Sequence, residues 1–285
     1  MSGIPTNTTN IALPAEVSEE IMQKVQLESA VMKLGRKIDL PGRGASIPVI
    51  VSDPEAQWVD ETGVKPTSNP SLTTKTMKGY TLAVIVPFSN QFKRDAEALY
   101  AELVKRLPRA LGEKFDATVL TGTAPGSNFD TLAGVTAQAI GTDAYGGLVA
   151  ADTDIATHGG IMDGIVLSPQ GKGVLLAAKD GNERPLFINN MAEGAVPMVL
   201  GANTALSKGA YKAGTPNIVG IAGDWTQALW GTVEDVQISI ADQATLTQGN
   251  TVLNLFERNM FAVRAEIEVG FVADTSVFNA LTVAD

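Results

Sequence analysis

The sequence has no cysteine and only one histidine, His158, among its 285 residues. The missing cysteines exclude disulfide scaffolds, thiolate metal sites and cysteine nucleophiles. A single histidine excludes multi-histidine metal centres and leaves acid–base chemistry to that residue or to carboxylates. The composition therefore argues against many enzyme classes without indicating a particular function.

Long apolar runs and an excess of positive charge are also absent. No stretch approaches the roughly 18 apolar residues of a membrane span, and residues 1–10 lack the basic and apolar regions of a signal peptide. Lysine and arginine number 21 against 31 acidic residues, for a net charge of −10, so the surface as a whole cannot clamp nucleic acid. With 45% hydrophobic residues, the chain can bury a sizeable core, and its length suits about two domains.

Two helices are predicted in the first half of the chain. The first begins near Pro14 and ends at Gly35, after a polar arm over 1–10. The second is a long helix over 90–120, in which Pro108 should introduce a kink. Its apolar side chains recur at spacings of three and four, as on a buried helix face: Phe92, Ala96, Leu99, Leu103, Leu107, Leu111, Phe115 and Val119.

Between these helices the pattern indicates extended chain. Two extended runs, at 47–51 and 73–86, flank the polar, turn-rich segment 52–71. They predict a long β-hairpin arm with little core of its own. Such an arm buries its apolar surface on a neighbour.

The second half is predicted to alternate loops with short strands and one short helix. Residues 121–157 are rich in Gly, Ala, Asp and Thr, with loops predicted at 123–127 and 145–147. A buried strand is predicted at 165–169, a helix at 171–179 and a turn at 180–182. Further strands are predicted at 185–188, 217–221, 227–230, 233–240 and 261–272.

The last of these strands alternates strictly. One face holds Phe261, Val263, Ala265, Ile267 and Val269, and the other holds Met260, Ala262, Arg264, Glu266 and Glu268. This predicts an amphipathic strand whose charged face meets solvent or an interface.

Few motifs indicate chemistry. The sequence Gly171-Lys172-Gly173 lacks the earlier glycine and the final Ser or Thr of a phosphate-binding loop. His158 has no partner motif and is interpreted as a surface-loop residue. Paired acids such as Asp60 and Glu61 could bind a cation, although solvated loop carboxylates are the commoner case. No cofactor or metal site is predicted.

Four segments, in order along the chain, carry a resemblance to a known family. They are DETGVKPTS at 60–68, IVLSP at 165–169 with the turn at 179–182, GDWTQA at 223–228, and the strand region 256–271. They are similar to the E-loop tip, the A-domain strand–helix–turn and the C-terminal core of bacteriophage major capsid proteins of the HK97-like fold. The resemblance spans about 11–285.

The resemblance implies an α+β, HK97-like fold made of five segments. These are an N-terminal arm at 1–40, an E-loop hairpin at 41–87, a P-domain with a spine helix at 88–122, an A-domain at 123–230, and returning P-domain strands with the C-terminus at 231–285. It implies a structural protein, not an enzyme, that assembles with itself as pentamers and hexamers into an icosahedral head around double-stranded DNA. The expected location is the virion capsid, after assembly in the host cytoplasm.

Some members of this family join an E-loop lysine to a P-domain asparagine of a neighbour, with a glutamate as catalyst. Lys65 matches the lysine, Asn259 the asparagine and Glu266 the glutamate. Because Asn259 and Glu266 are seven residues apart, they point to opposite faces of an unbroken strand, and the match needs a bulge or a strand start after Asn259. Alternatively, Lys65 forms only an intersubunit salt bridge. The expected contacts between subunits are Lys65, Asp60, Glu61 and Arg264.

Two other functions remain open on the sequence. One is an encapsulin-like shell of the same fold around a cargo enzyme, which the Thr- and Asn-rich start argues against. The other is a stand-alone enzyme or carbohydrate-binding domain that uses loop carboxylates. On the capsid interpretation, the expected partners are a separate scaffolding protein, because Met1 lies directly before the arm, a portal and a decoration protein; no membrane partner is expected.

Overall fold

The computed structural model describes residues 15–50, 58–59, 72–91, 96–180, 182–186, 198–248 and 251–284. Their helices are α1 (Ala15–Glu28), α2 (Ala30–Leu34), α3 (Ala96–Leu120), α4 (Ala144–Thr157) and α5 (Pro169–Ala177). Their strands are β1 (Arg36–Asp39), β2 (Ala45–Ile50), β3 (Leu72–Met77), β4 (Tyr80–Ser89), β5 (Thr136–Ala139), β6 (Gly164–Leu167), β7 (Asn203–Leu206), β8 (Asn217–Gly223), β9 (Ala228–Ala241), β10 (Thr245–Gln248), β11 (Thr251–Asn254), β12 (Met260–Ala273) and β13 (Phe278–Val283). Within this part of the chain no helix has the length and apolarity to cross a membrane.

The first sheet has the strand order β1-β9-β12-β4. The alternation predicted for β12 is confirmed, since all five residues of its apolar face, Phe261, Val263, Ala265, Ile267 and Val269, are at most 3% exposed. The two strands predicted at 227–230 and 233–240 are one strand, β9, which pairs with β12 along its length. The local pattern predicted two strands here because Gly231 and Thr232 interrupt the run of apolar residues.

The long helix α3 packs against this sheet. It has 25 residues, about 37 Å at 1.5 Å per residue, and contains Pro108. The predicted start near 90 is wrong, because residues 90–91 form a short turn after β4 and α3 begins at Ala96. Four residues of its predicted face, Leu107, Leu111, Phe115 and Val119, are buried, while the earlier positions lie outside the described side chains. The ring of Phe115 contacts that of Phe271 in β12 at a centroid distance of 6.4 Å.

The single helix predicted over 14–35 is two helices, separated at Ser29. The Ser29 backbone is extended, and its hydroxyl accepts a hydrogen bond from the Met32 amide at 3.1 Å, which caps α2. The buried carboxylate of Asp116 in α3 accepts hydrogen bonds from the amides of Ala30 and Val31. The break therefore satisfies amides that a continuous helix would have bonded internally.

The predicted hairpin is present in part, as the antiparallel pair β2–β3, in register from Ala45 opposite Met77 to Ile50 opposite Leu72. The run at 80–86, which the sequence assigned to the same arm, belongs to β4 and pairs with β12 in the first sheet. Pro48 fits in β2 because a two-stranded sheet consists only of edge strands. At the base of the arm, Lys75 Nζ lies 3.0 Å from Asp130 Oδ2 and donates to the Ala273 carbonyl at 2.8 Å. The arm is thus fastened to the rest of the molecule by its first few residue pairs.

The second sheet has the order β5-β13-β8-β6-β7 and carries α4 and α5. Strand β6 and helix α5 confirm the predicted strand and short helix. The predicted loop at 145–147 is wrong, because these residues form the first turn of α4, capped by Asp143. The C-terminal strand β13 pairs with β5 and β8, so 278–283 joins the sheet of segment 123–230 and not the returning strands of the first sheet, with which the sequence grouped it.

Candidate functional site

Asn259 lies at the exposed end of the first sheet, in the turn between β11 and β12. Its φ of +53° is in the left-handed region, which asparagine tolerates better than most residues, and β12 begins at the next residue. The strand start after Asn259 that the sequence required is therefore present.

The side chain of Asn259 is held by Asn90, which follows β4. Asn90 Nδ2 donates to Asn259 Oδ1 at 2.7 Å, and the Asn90 amide donates to the Asn259 carbonyl at 3.0 Å. The two residues meet because β4 and β12 are antiparallel neighbours, with Ser89 opposite Met260. Sequence reasoning missed Asn90, because it placed this residue at the start of the long helix predicted over 90–120.

Two exposed apolar side chains lie in the strand and turn that precede Asn259. Phe256 is 75% exposed and Val252 is 60% exposed, and the Asn259 amide donates to the Phe256 carbonyl at 3.3 Å. Beneath them, the fully buried Leu255 anchors the turn through hydrogen bonds to the backbone of Ala244 and Met260. A large exposed aromatic on an anchored turn is typical of a surface that another chain covers.

Glu266 and Arg264 lie on the outward face of β12. Arg264 Nη2 is 3.1 Å from Glu266 Oε1, and Arg264 Nε donates to Ser239 Oγ at 3.2 Å. Both side chains keep substantial exposure, at 49% for Arg264 and 28% for Glu266. Arg264 is therefore partly neutralised by its own chain but still accessible to a neighbour.

The structure does not bring Asn259 and Glu266 together. Asn259 and Glu266 are seven positions apart, and the six steps from Met260 to Glu266 run along β12, so at about 3.4 Å per residue this stretch alone spans roughly 20 Å. The strand irregularities between Glu266 and Val269 come after this span and do not shorten it. Within one subunit the two side chains cannot touch the same reacting group.

The surface around Glu266 is strongly acidic. A shallow cavity of about 160 Å³ is lined by Thr81, Glu234, Asp235, Gln237, Glu266, Ile267 and Glu268. Gln237 Nε2 donates to Glu234 Oε2 at 2.6 Å, which ties one of these acids to the sheet. Among the residues that the structure describes, no three His, Asp or Glu side chains are grouped to hold a metal ion. This face is therefore negatively charged.

The remaining predicted site residues, Asp60, Glu61 and Lys65, lie outside the described residues. Of the nearby segment, Trp58 and Val59 are described, and the Trp58 side chain is fully exposed. His158 lies at the C-terminal end of α4, not in a free loop, and its Nδ1 is 2.8 Å from the Asp154 carbonyl oxygen. The residues 171–173 lie inside α5.

Comparison with known proteins shows the same family along nearly the whole chain. A sequence model of the phage capsid family matches residues 9–282. The probable major capsid protein of Mycobacterium phage D29 is 29% identical over 95% of this chain and 89% of its own length, and the major capsid protein of Staphylococcus phage 80alpha is 24% identical over 95% and 84%.

Solved structures agree. A chain from Mycobacterium phage Cain matches with a TM-score of 0.69 and 25% identity over 90% of both chains. A chain from Microbacterium phage Oxtober96 matches in fold with a TM-score of 0.71 over 99% of this chain and 95% of that one, at 21% identity. The predicted α+β, HK97-like fold is confirmed, and the interpretation as a stand-alone enzyme or carbohydrate-binding domain is wrong. This chain belongs to the phage capsid family and is a structural component of the phage head.

Proposed function

We propose that copies of this chain assemble as pentamers and hexamers into an icosahedral head that encloses double-stranded DNA. The observation that best supports this is the β2–β3 arm, a two-stranded sheet that pairs with no other strand among the described residues. A two-stranded hairpin is marginally stable alone and gains stability when a neighbouring copy covers it. Repeated contacts between unlike surfaces close into rings, as pentamers and hexamers require.

The charge of the chain fits the same role. A net charge of −10 disfavours tight binding to phosphates, so packaged DNA can leave the shell. The further partners we propose are a separate scaffolding protein, a portal and a decoration protein, with assembly in the host cytoplasm. The domain boundaries given above, apart from the placement of β13, are part of this proposal.

Electron cryomicroscopy of purified particles tests the assembly. We expect closed icosahedral shells with pentamers and hexamers and with nucleic acid inside. Particles that contain a stoichiometric enzyme and no nucleic acid would support the encapsulin-like alternative instead. A stable monomer at high concentration, even with scaffolding protein present, would contradict the proposal.

Between subunits, we propose that Lys65 Nζ of one copy forms an amide bond with Cγ of Asn259 in another. The exposed, tethered Asn259 beside Phe256 supports this, because a neighbour that covers Phe256 also reaches Asn259. The roughly 20 Å along β12 requires that the Glu266 next to the reacting lysine come from a different copy than the Asn259. The acidic cavity around Glu266 would attract Lys65, while Asp60 and Glu61 would suit the half-exposed Arg264.

A denaturing gel of boiled, reduced particles tests the cross-link. We expect a ladder of covalent oligomers for the wild type and for Lys78→Arg, a control lysine at the exposed base of the same arm. Lys65→Arg, Asn259→Asp and Glu266→Gln should each give one band near the subunit mass of 29.8 kDa. A single band for wild-type particles would contradict the cross-link and would support the alternative in which Lys65 forms only an intersubunit salt bridge.

A further inference from the structure

We propose that Asn90 is a catalytic residue of this cross-link, because it stabilises the negative charge that develops on Asn259 Oδ1. This inference rests on the proposed Lys65–Asn259 bond and assigns a role to a residue outside the lysine, asparagine and glutamate. The observation behind it is the hydrogen bond from Asn90 Nδ2 to Asn259 Oδ1 at 2.7 Å.

The reaction places charge at that oxygen. Lys65 loses a proton to Glu266, and its neutral Nζ attacks Cγ of Asn259, so that the carbonyl electron pair moves onto Oδ1. The intermediate then collapses: the proton on Glu266 passes to Nδ2, the Cγ–Nδ2 bond breaks to release ammonia, and the second proton lost by Lys65 Nζ passes through Glu266 to that ammonia. One ammonium group and one amide become a secondary amide and an ammonium ion, with no other reactant. A donor already placed on Oδ1 stabilises the intermediate with little reorganisation.

Two features keep the donor in place. The backbone hydrogen bond from Asn90 to the Asn259 carbonyl holds the two residues together independently of the side chains. The strand pairing of Ser89 with Met260 fixes both neighbours. Asn259 itself is exposed, so that its Cγ and Nδ2 remain open to the incoming lysine.

The orientation of the Asn90 amide follows from its surroundings. Asn90 Oδ1 is buried and accepts no hydrogen bond from the described residues. If both side-chain amides were rotated by 180°, Asn259 Nδ2 would donate to Asn90 Oδ1. The buried group without a hydrogen-bond partner would then be the NH₂ group of Asn90. An unpaired buried N–H is the rarer defect, as it is for backbone groups, so the orientation in which Asn90 donates is favoured.

Mixed particles test this role without requiring that a variant assemble alone. Asn90→Ala subunits labelled with ¹⁵N are assembled with unlabelled wild-type subunits, and the tryptic peptide 259–264 is quantified by mass spectrometry in its free and cross-linked forms. At early times we expect the labelled peptide to be cross-linked about 10- to 100-fold more slowly than the unlabelled one, since one such donor contributes about 10²–10³ in a sequestered site and less in an exposed one. Labelled Gln91→Ala subunits, altered at the exposed neighbouring position, should match the wild type.

Asn90→Asp tests whether the side chain of residue 90 acts as a donor to Asn259 or as an acceptor from it. It keeps the size and an acceptor oxygen but loses the donor, so it should be at least as slow as Asn90→Ala. Equal rates for labelled and unlabelled peptide with either variant would overturn the role of Asn90 while leaving the cross-link intact. Absence of cross-linked peptide 259–264 from both subunit types would instead overturn the proposed cross-link itself.

Discussion

Replacing Asp116 with alanine should destabilise the subunit, because this carboxylate joins the N-terminal helices to α3. The side chain is 1% exposed. Asp116 Oδ1 accepts from the Ser29 hydroxyl at 2.5 Å and from the Val31 amide at 3.2 Å, and Oδ2 accepts from the Ala30 amide at 2.9 Å. The two amides belong to the first turn of α2, where no acceptor within the helix is available.

The size of the effect follows from these three donors. Each buried donor left without an acceptor is destabilising by about 1–3 kcal/mol, but the Ser29 hydroxyl can rotate and the desolvation of the carboxylate is relieved. We therefore expect a loss of about 2–4 kcal/mol in the free energy of unfolding. Asp116→Asn keeps one acceptor oxygen but turns an NH₂ group toward a donor, so its loss should be smaller but still measurable.

Urea unfolding of unassembled subunits, followed by tryptophan fluorescence, measures this loss, since Trp225 and Trp230 are buried. Glu113→Ala is the matched control in the same helix. Its carboxylate is 41% exposed and pairs with Arg109 at 3.0 Å, an i,i+4 surface pair that stabilises by about 0.3–0.5 kcal/mol. If Asp116→Ala lowers the free energy of unfolding by no more than Glu113→Ala does, the reasoning about the buried donors is wrong.

The pH dependence gives an independent check on Asp116. Burial raises its pKa above the ordinary value of 3.8, against the lowering effect of its hydrogen bonds. The native state therefore binds this proton more tightly than the unfolded chain, and the resulting stabilisation is present below pH 3.8 and disappears as the pH rises through the native pKa. The stability of wild type minus that of Asp116→Asn should fall as the pH is raised over that window; a rise would show that the hydrogen bonds dominate.

Three further predictions concern the core, the arm and the exposed turn. Phe271→Ala should lower the free energy of unfolding by about 3–5 kcal/mol in the same urea assay, because the fully buried ring packs on Phe115 and Phe129; a loss below about 1 kcal/mol would contradict this. Lys75→Ala should speed amide hydrogen exchange in β3 with a global loss of only about 1 kcal/mol, and unchanged exchange would mean that the arm is held in another way. Phe256→Ser should leave subunit stability within about 0.5 kcal/mol but reduce particle yield on sedimentation, whereas Leu176→Ser, on exposed α5, should not; equal yields would argue against an interface at Phe256.

Much of the architecture could be predicted because the spacing of apolar residues along the sequence indicates helices and strands and their buried faces. Leu107, Leu111, Phe115 and Val119 recur every four residues and all four are buried in α3. The strict alternation of β12 likewise predicted which face is buried. Patterns of this kind survive folding because the helix and strand repeats determine which side chains share a face.

Helix α4 shows where local pattern misleads. Gly146 and Gly147 indicated a turn, yet both lie in the helix. A Cβ atom on Gly147 would lie 2.2 Å from the Ala139 carbonyl oxygen, so the glycine is required for the close approach of α4 to the neighbouring sheet. The sequence does not show whether a glycine is required for close packing or for a turn. Only the tertiary contacts distinguish the two cases.

For the candidate site, too, some features follow from the sequence and others only from the tertiary structure. The sequence by itself determined the absence of thiol chemistry, the acidic balance, the alternation of β12 and the residues that match a cross-linking lysine, asparagine and glutamate. Tertiary structure alone decided that Asn90 meets Asn259 across 169 residues of chain, that Glu266 lies far from Asn259 in the same subunit, and that β13 joins the second sheet. The physical reason is that strand pairing is non-local: hydrogen bonds between strands depend on which edges meet, and one sequence window contains only one of the two edges.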